Sequence, residues 1–313
     1  MKLVFMGTPD FAVPSLQRLA ASAHEISAVL TNPDRPRGRG RRPTPPPVAL
    51  SAREFGLELL QAKNLSDPGL AARLAAYEPD LFVVVAFSIL PPQLLEIPAL
   101  GALNLHPSLL PAYRGAAPII RALVNGERTT GITTILIDAR LDAGDILMQQ
   151  SVAIGPEETA GELEGRLQDL GADLLVKSVD GLQQGTLNPR PQPRSGVSWA
   201  PKVGKEDGRI DWSQPAEVVR NLIRGANPVP GAFTEWGTGL LKVHRALRLD
   251  SSLEGEPGTV LRADSRQGLV VRAGDGALLL TEVQPPGKSR MEGKAFVLGY
   301  QIEEGIRLGC PLR

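Results

Sequence analysis

Residues 81–87, Leu81-Phe82-Val83-Val84-Val85-Ala86-Phe87, make an unbroken apolar run between Asp80 and Ser88. A strand with one wet face alternates polar and apolar residues. A run without alternation is covered on both faces, which is the position of a central strand in a parallel sheet. The run is far too short to cross a bilayer as a helix. Parallel strands need crossover connections, so the flanking sequence must alternate strands with helices.

It does. Residues 2–6 read as a buried strand, and Phe11, Val13, Leu16 and Leu19 give one helical face, with Thr8 before Pro9 as the expected helix start. Residues 25–30 read as a second strand, 48–55 as a helix, 57–61 as a short strand, and Asp67-Pro68 as a capped start to a helix reaching Tyr77. The expected architecture is α/β, a Rossmann-like, mostly parallel sheet. A dinucleotide site is not part of it, because Gly7 stands without the glycine spacing that brings backbone against a pyrophosphate.

The strand 101–106 follows, Gly101-Ala102-Leu103-Asn104-Leu105-His106, and Pro107 breaks it. Residues two apart on a strand point to one face, so Asn104 and His106 project together at the strand's carboxyl end. Ligands of open α/β sheets bind at that end. A carboxamide can donate to a developing oxyanion while an imidazole moves a proton. Downstream, the β-branched strand 131–137 and the strand 146–154 flank a loop with three aspartates, of which Asp138 and Asp145 read as turn formers and Asp142 can reach the central rim.

The segment 31–47 leaves the same rim. Its prolines and glycines predict a long loop without regular structure, and it sets Arg35, Arg37, Arg39, Arg41 and Arg42 against the single Asp34. Alternating Arg and Gly suits phosphate contact with close backbone approach. The whole chain has a formal net charge of zero, so a nucleic-acid partner must be met by this local patch. The one cysteine, Cys310, excludes an internal disulfide framework and fits a reducing, cytoplasmic setting. The three histidines (His24, His106 and His244) are scattered, and no metal site is expected.

Thr159-Ala160-Gly161-Glu162 matches a capping box opening a helix that ends near Gly185. Residues 189–207 lose periodicity and read as a linker between domains at 1–188 and 208–313. Beyond it come a helix at 214–224 and five short strands, 231–236, 240–249, 258–262, 268–272 and 277–283. These predict a small antiparallel β-barrel, OB-like, or a sandwich.

Asn104-Leu105-His106 followed by Ser108-Leu109-Leu110-Pro111, with Leu141-Asp142-Ala143-Gly144 downstream, resembles the folate-dependent formyltransferases. Gly7-Thr8-Pro9-Asp10-Phe11, Pro33-Asp34-Arg35-Pro36, Gly38-Arg39-Gly40, Ile210-Asp211-Trp212 and Arg224-Gly225-Ala226-Asn227-Pro228 resemble the branch acting on methionyl-tRNA, and the likeness spans the chain. Ala143 stands where the family more often has Thr, and Pro107 where it has one of several small residues; neither removes a functional group.

The resemblance implies transfer of the formyl group of 10-formyltetrahydrofolate to the α-amino group of methionyl-initiator tRNA by a monomer with no metal and no membrane. Asn104, His106 and Asp142 would be catalytic; Ser108, Leu109, Leu110, Pro111, Phe87 and Leu90 would meet the folate. Arg35, Arg37, Arg39, Arg41 and Arg42 would meet the tRNA, Arg39 entering the stem, and the second domain would add Lys202, Lys205, Lys242, Arg245 and Lys288. Two rivals stand beside this reading: a formyltransferase of the same fold acting on a small amine such as a nucleotide-linked amino sugar, and a non-catalytic RNA-binding protein.

Overall fold

The computed structural model of the chain describes residues 1–37, 40, 42–237, 239–249 and 254–309. It divides into two compact units. The first comprises Met1–Gly115, Thr129–Ala153 and Glu164–Ala200; the second comprises Ala116–Arg128, Ile154–Leu163 and Pro201–Arg313.

In the first unit β1 (Lys2–Gly7), α1 (Val13–Ala20) and β2 (Glu25–Thr31) open the sheet. A two-stranded ribbon of β3 (Arg35–Arg37) and β4 (Arg42–Thr44) follows, then α2 (Pro47–Glu54), β5 (Leu59–Gln61), α3 (Pro68–Ala75), β6 (Leu81–Val85), α4 (Pro92–Leu95) and β7 (Ala102–His106). Past α5 (Pro118–Val124), of the second unit, come β8 (Thr129–Leu136), β9 (Ile146–Ala153) and the long α6 (Ala160–Gln183).

The seven-stranded sheet has the order β5-β2-β1-β6-β7-β8-β9. Its first five strands are mutually parallel, β8 runs antiparallel to β7 and β9 antiparallel to β8, so the sheet is mixed. The apolar run became a central strand: every residue of β6 is buried, between β1 and β7. At about 1.5–3 kcal/mol for each large side chain, its core face with Val4, Met6, Leu30 and Leu74 is a main source of this unit's stability.

Two local expectations change. Thr8 is not the helix cap: a 3₁₀ turn over Asp10–Ala12 intervenes, and the Thr8 hydroxyl instead accepts from the Asn32 backbone N–H at 3.4 Å. The segment 31–47 is not wholly irregular, because β3 and β4 pair antiparallel, with Pro36 opposite Pro43. Proline lacks an N–H, which a two-stranded ribbon tolerates on its outward, non-bonding edge.

The second unit holds α5, α7 (Ala216–Gly225) and an antiparallel sheet of β10 (Ala232–Trp236), β11 (Gly239–Leu249), β12 (Val260–Asp264), β13 (Gly268–Arg272), β14 (Ala277–Gln284) and β15 (Met291–Glu292), closed off by α8 (Gly293–Tyr300). The strands run β10-β11-β14-β13-β12, with β15 on β14. Among the described residues β10 and β12 do not pair with each other, so the sheet is open and the expected closed barrel is not formed. The motif residues of this half are packing residues. Trp212 is buried and donates from Nε1 to Thr234 Oγ1 at 3.0 Å. Buried Arg224 donates from Nε to Asn221 Oδ1 at 2.8 Å, and Asn227 Nδ2 donates to the His244 carbonyl at 2.8 Å. A Cβ on Gly225 would lie 2.8 Å from Val124 Cγ2, so the glycine lets α7 close on α5.

Candidate active site

Register fixes the centre of the site. Asn104 pairs with Val84 on one side and Ile135 on the other, and His106 lies opposite Thr133. Asn104 is half-buried, whereas His106 is 4% exposed. The two share a face at the end of β7, as the alternation requires.

The imidazole is held by the turn that follows. His106 Nε2 lies 2.9 Å from the Tyr113 carbonyl oxygen. A carbonyl only accepts, so Nε2 carries the hydrogen, and the neutral ring presents an unprotonated Nδ1. That nitrogen faces Asp142 Oδ2 at 3.7 Å. Burial pushes the His106 pKa below its ordinary value; the Asp142 carboxylate and the Tyr113 hydrogen bond oppose the shift, and Arg114 adds to it.

Asp142 is fixed from two directions. Its Oδ2 accepts the Gly115 backbone N–H at 2.8 Å, and its main chain has φ of 49°, in the left-handed region. Gly144 has no room for a side chain, because a Cβ would overlap the Leu136 carbonyl at the end of β8. Ala86, just past β6, and Tyr113 also have positive φ, 47° and 60°. Non-glycine residues in this region cost on the order of 1–3 kcal/mol and persist where the surroundings over-determine them.

Sequence reasoning missed the brace behind Asp142. Gln192 Nε2 donates to the carbonyls of Asp142 at 2.8 Å and Gly144 at 2.9 Å. Its Oε1 accepts from Arg114 Nη2 at 2.6 Å and Nε at 3.2 Å. Gln192 lies in the stretch expected to be linker, yet residues up to Ala200 group with the first unit. Arg190 exchanges backbone hydrogen bonds with Ile146, and Ser198 and Ala200 bond the backbone of Arg114. A proline-broken run has no periodicity to signal such pairing.

The polar groups of Ser108 and Leu110 in the segment 108–111 turn inward. Ser108 is buried and donates from Oγ to the Ala112 carbonyl at 2.7 Å; its own carbonyl accepts from Thr133 Oγ1 at 2.6 Å. Leu110 is buried, donates its N–H to Thr133 Oγ1 at 3.2 Å, and accepts from Gln149 Nε2 at 2.8 Å. These polar groups are satisfied inside the protein. Leu109 and Pro111 remain half-exposed, and Leu109 packs where Gly131 of β8 lacks a side chain. Leu90 is a core residue and Phe87 is half-buried, while Ile89 between them in the same turn is 80% exposed.

Arg35 and Arg42 are exposed on β3 and β4. Arg39 and Arg41 lie outside the described residues, as do the side chain of Arg37 and Cys310. In the second unit, Lys202, Lys242 and Lys288 are exposed. Lys205 sits over the Phe233 ring at 5.9 Å, and Arg245 pairs with Glu162 and, at 3.9 Å, with Glu282. Among the described residues no group of three or more His, Cys, Asp or Glu side chains is placed to hold a metal ion, and no helix is long and apolar enough to cross a membrane.

Known proteins match over the whole length. Residues 1–179 match the family model described as formyl transferase, and residues 202–301 match that described as formyl transferase, C-terminal domain. A curated relative from Moorella thermoacetica, a methionyl-tRNA formyltransferase, is 48% identical over 99% of this chain and 100% of its own. The enzyme of that name from Geobacter metallireducens is 45% identical over 99% of each. Among solved structures the sugar 3N-formyl transferase WlaRD, determined in the presence of dTDP and 5-N-formyl-THF, shares the fold at a TM-score of 0.64 and 17% identity, over 92% of this chain and 99% of that one. HypX from Aquifex aeolicus, in complex with tetrahydrofolic acid, matches at a TM-score of 0.65 and 18% identity, over all of this chain and 49% of that one.

Proposed function

Because the chain belongs to the formyl transferase family, we propose that it transfers the formyl group of 10-formyltetrahydrofolate to the α-amino group of methionyl-initiator tRNA. What carries the reading is the meeting of His106 and Asp142 at the end of β7, in a chain that aligns end to end with enzymes of that name.

A bond forms between the amine nitrogen and the formyl carbon, and the bond from that carbon to the folate N10 breaks. Asn104 donates from its amide to the formyl oxygen as charge builds there. His106 accepts the amine's proton at Nδ1, the nitrogen left free once Nε2 is bound to Tyr113. Asp142 supports the resulting imidazolium through the 3.7 Å approach of its carboxylate. The same proton then goes from Nδ1 to the departing nitrogen, so atoms and charge balance. A cationic ring has only Nδ1–H left to offer, which gives the oxyanion role chiefly to Asn104.

For the folate, half-exposed Phe87, Leu109 and Pro111, with the exposed Ile89 and Leu141, suit a flat heteroaromatic ring. Buried Leu90, Ser108 and Leu110 fix the backbone that carries them. For the tRNA, the arginines of 35–42 meet phosphates of the acceptor stem, with Arg39 entering the stem end. The lysines and arginines of the C-terminal half add phosphate partners further along.

The test is an assay of the purified protein with 10-formyltetrahydrofolate and charged initiator or elongator tRNA. Transfer to initiator over elongator is the expected result. Transfer to a nucleotide-linked amino sugar alone, or to neither, overturns the assignment.

A further inference from the structure

The three tryptophans of the chain have different surroundings. Trp212 is buried in the core of its unit, and Trp236 packs edge-on against Phe296 and Tyr300 with ring centroids 5.1 and 5.4 Å apart. Trp199 is 61% exposed. Leaving so large an indole in water forfeits the burial that ordinarily fixes tryptophan in place.

The backbone of Trp199 is nevertheless firmly held, and by the loop that holds the catalytic groups. Trp199 lies opposite Arg114 in a parallel bridge. The Arg114 N–H donates to the Ser198 carbonyl at 2.9 Å, and the Ala200 N–H donates to the Arg114 carbonyl at 2.7 Å. The Tyr113 N–H donates to Ser198 Oγ at 2.9 Å. Gly115 has φ of 123°, and a Cβ there would stand 2.6 Å from the Ala200 carbonyl, so the close approach requires glycine. Tyr113 and Gly115 are also the residues whose carbonyl and N–H bind His106 and Asp142. One pairing therefore fixes the reacting groups and the exposed indole together.

The charge around Trp199 along the chain is of one sign. Between Gly181 and Ala200, within Trp199's own unit, stand Arg190 and Arg194, both exposed, and no carboxylate side chain. An exposed aromatic on a firmly held backbone, in a segment whose only charges are arginines, has the composition of a single-strand stacking site, where the ring takes a base and the cations take the phosphates.

We propose that Trp199 is the stacking platform for the 3′-terminal base of the charged tRNA. The inference rests on the tRNA reading above, since the methionyl ester hangs from the terminal ribose and its base is the one nearest the reacting amine. Stacking there sets where the amine comes to rest relative to His106.

The test uses the full-length protein with Trp199→Ala and Trp199→Phe. Binding is measured by fluorescence anisotropy to an acceptor minihelix ending in CCA and to the same RNA with an abasic terminal nucleotide. Trp199→Ala should weaken binding to the CCA end about 5- to 100-fold, Trp199→Phe much less, and wild type and Trp199→Ala should bind the abasic RNA alike. The KM for the formyl donor should not move. An equal loss on both RNAs, no loss on either, or a change confined to the donor KM overturns the proposal. Formylation of methionyl-tRNA by the wild type is measured alongside; its absence would remove the tRNA reading itself and is distinct from any of these outcomes.

Discussion

In the proposed mechanism His106 carries the proton because its two nitrogens have different partners. With Nε2–H committed to the Tyr113 carbonyl, Nδ1 is the ring nitrogen that this mechanism uses for the transferred proton. Replacing His106 by alanine should lower formyl transfer by about 10²- to 10⁴-fold, with tRNA binding unchanged; comparable losses in rate and affinity would mean a structural role. Burial lowers the imidazole pKa below 6.5, so the ring is neutral at pH 7 and kcat should fall on the acid side only below pH 6.5. Asp142 opposes the shift, so Asp142→Asn should move this acid limb to still lower pH, besides reducing the rate. An acid limb moved to higher pH would show that the carboxylate does not act on the ring. The sign for stability follows as well. The unfolded chain takes up the proton first as pH falls through about 6.5, so native stability declines from there down to the lowered folded value. At this scale much was legible: strand alternation and Pro107 placed Asn104 and His106 on one face. Which nitrogen each partner takes was not, because it depends on the left-handed turn at Tyr113, a residue type that gives no signal for that conformation.

Among elements, the sheet was the most readable part, since an unbroken apolar strand can only be central. The β3–β4 ribbon was hidden because Arg and Pro carry no hydrophobic alternation from which to read a strand. Its exposed Arg35 and Arg42 make the proposed phosphate contact testable. Arg35→Ala with Arg42→Ala should weaken tRNA binding and flatten its salt dependence, by about 0.9 in the log–log slope for each phosphate no longer neutralised. A salt slope equal to wild type would make these arginines ordinary surface charge. Gln192 was equally hidden, since its hydrogen bonds reach residues 48 and 50 positions away. Its amide is spent on Arg114 and the Asp142–Gly144 turn, so its expected role is to hold that turn. Gln192→Ala should therefore lower kcat about 10- to 100-fold, the scale of a small misplacement, and leave the KM for tRNA nearly unchanged. A raised KM with an intact kcat would assign Gln192 to binding instead.

For the whole molecule, the two units interleave along the chain. Helix α5 and residues 154–163 pack with the second unit, although sequence on both sides of them belongs to the first. Composition suggests contiguous boundaries, because an apolar helical face does not say which core it joins. The consequence concerns fragments. A chain ending at residue 200 keeps α5 but loses α7, the helix on which α5 packs. It uncovers the α5 surface that faces α7, where Val124 and the Ile120 carbonyl meet Gly225, and each large apolar side chain so exposed costs about 1.5–3 kcal/mol. It also strands the Arg121 guanidinium, which pairs with Asp207 at 2.8 Å, and the Gly155 carbonyl, which accepts from Arg224. A loss of several kcal/mol is a large part of a domain's usual stability of about 5–15 kcal/mol. The fragment 1–200 should thus melt well below the full chain or fail to unfold cooperatively in circular dichroism, and a shorter fragment that also omits α5 should not recover, since the chain must still pass from β7 to β8. A fragment 1–200 that melts cooperatively at the full-length temperature would show that the first unit is self-sufficient and that the packing of α5 contributes little.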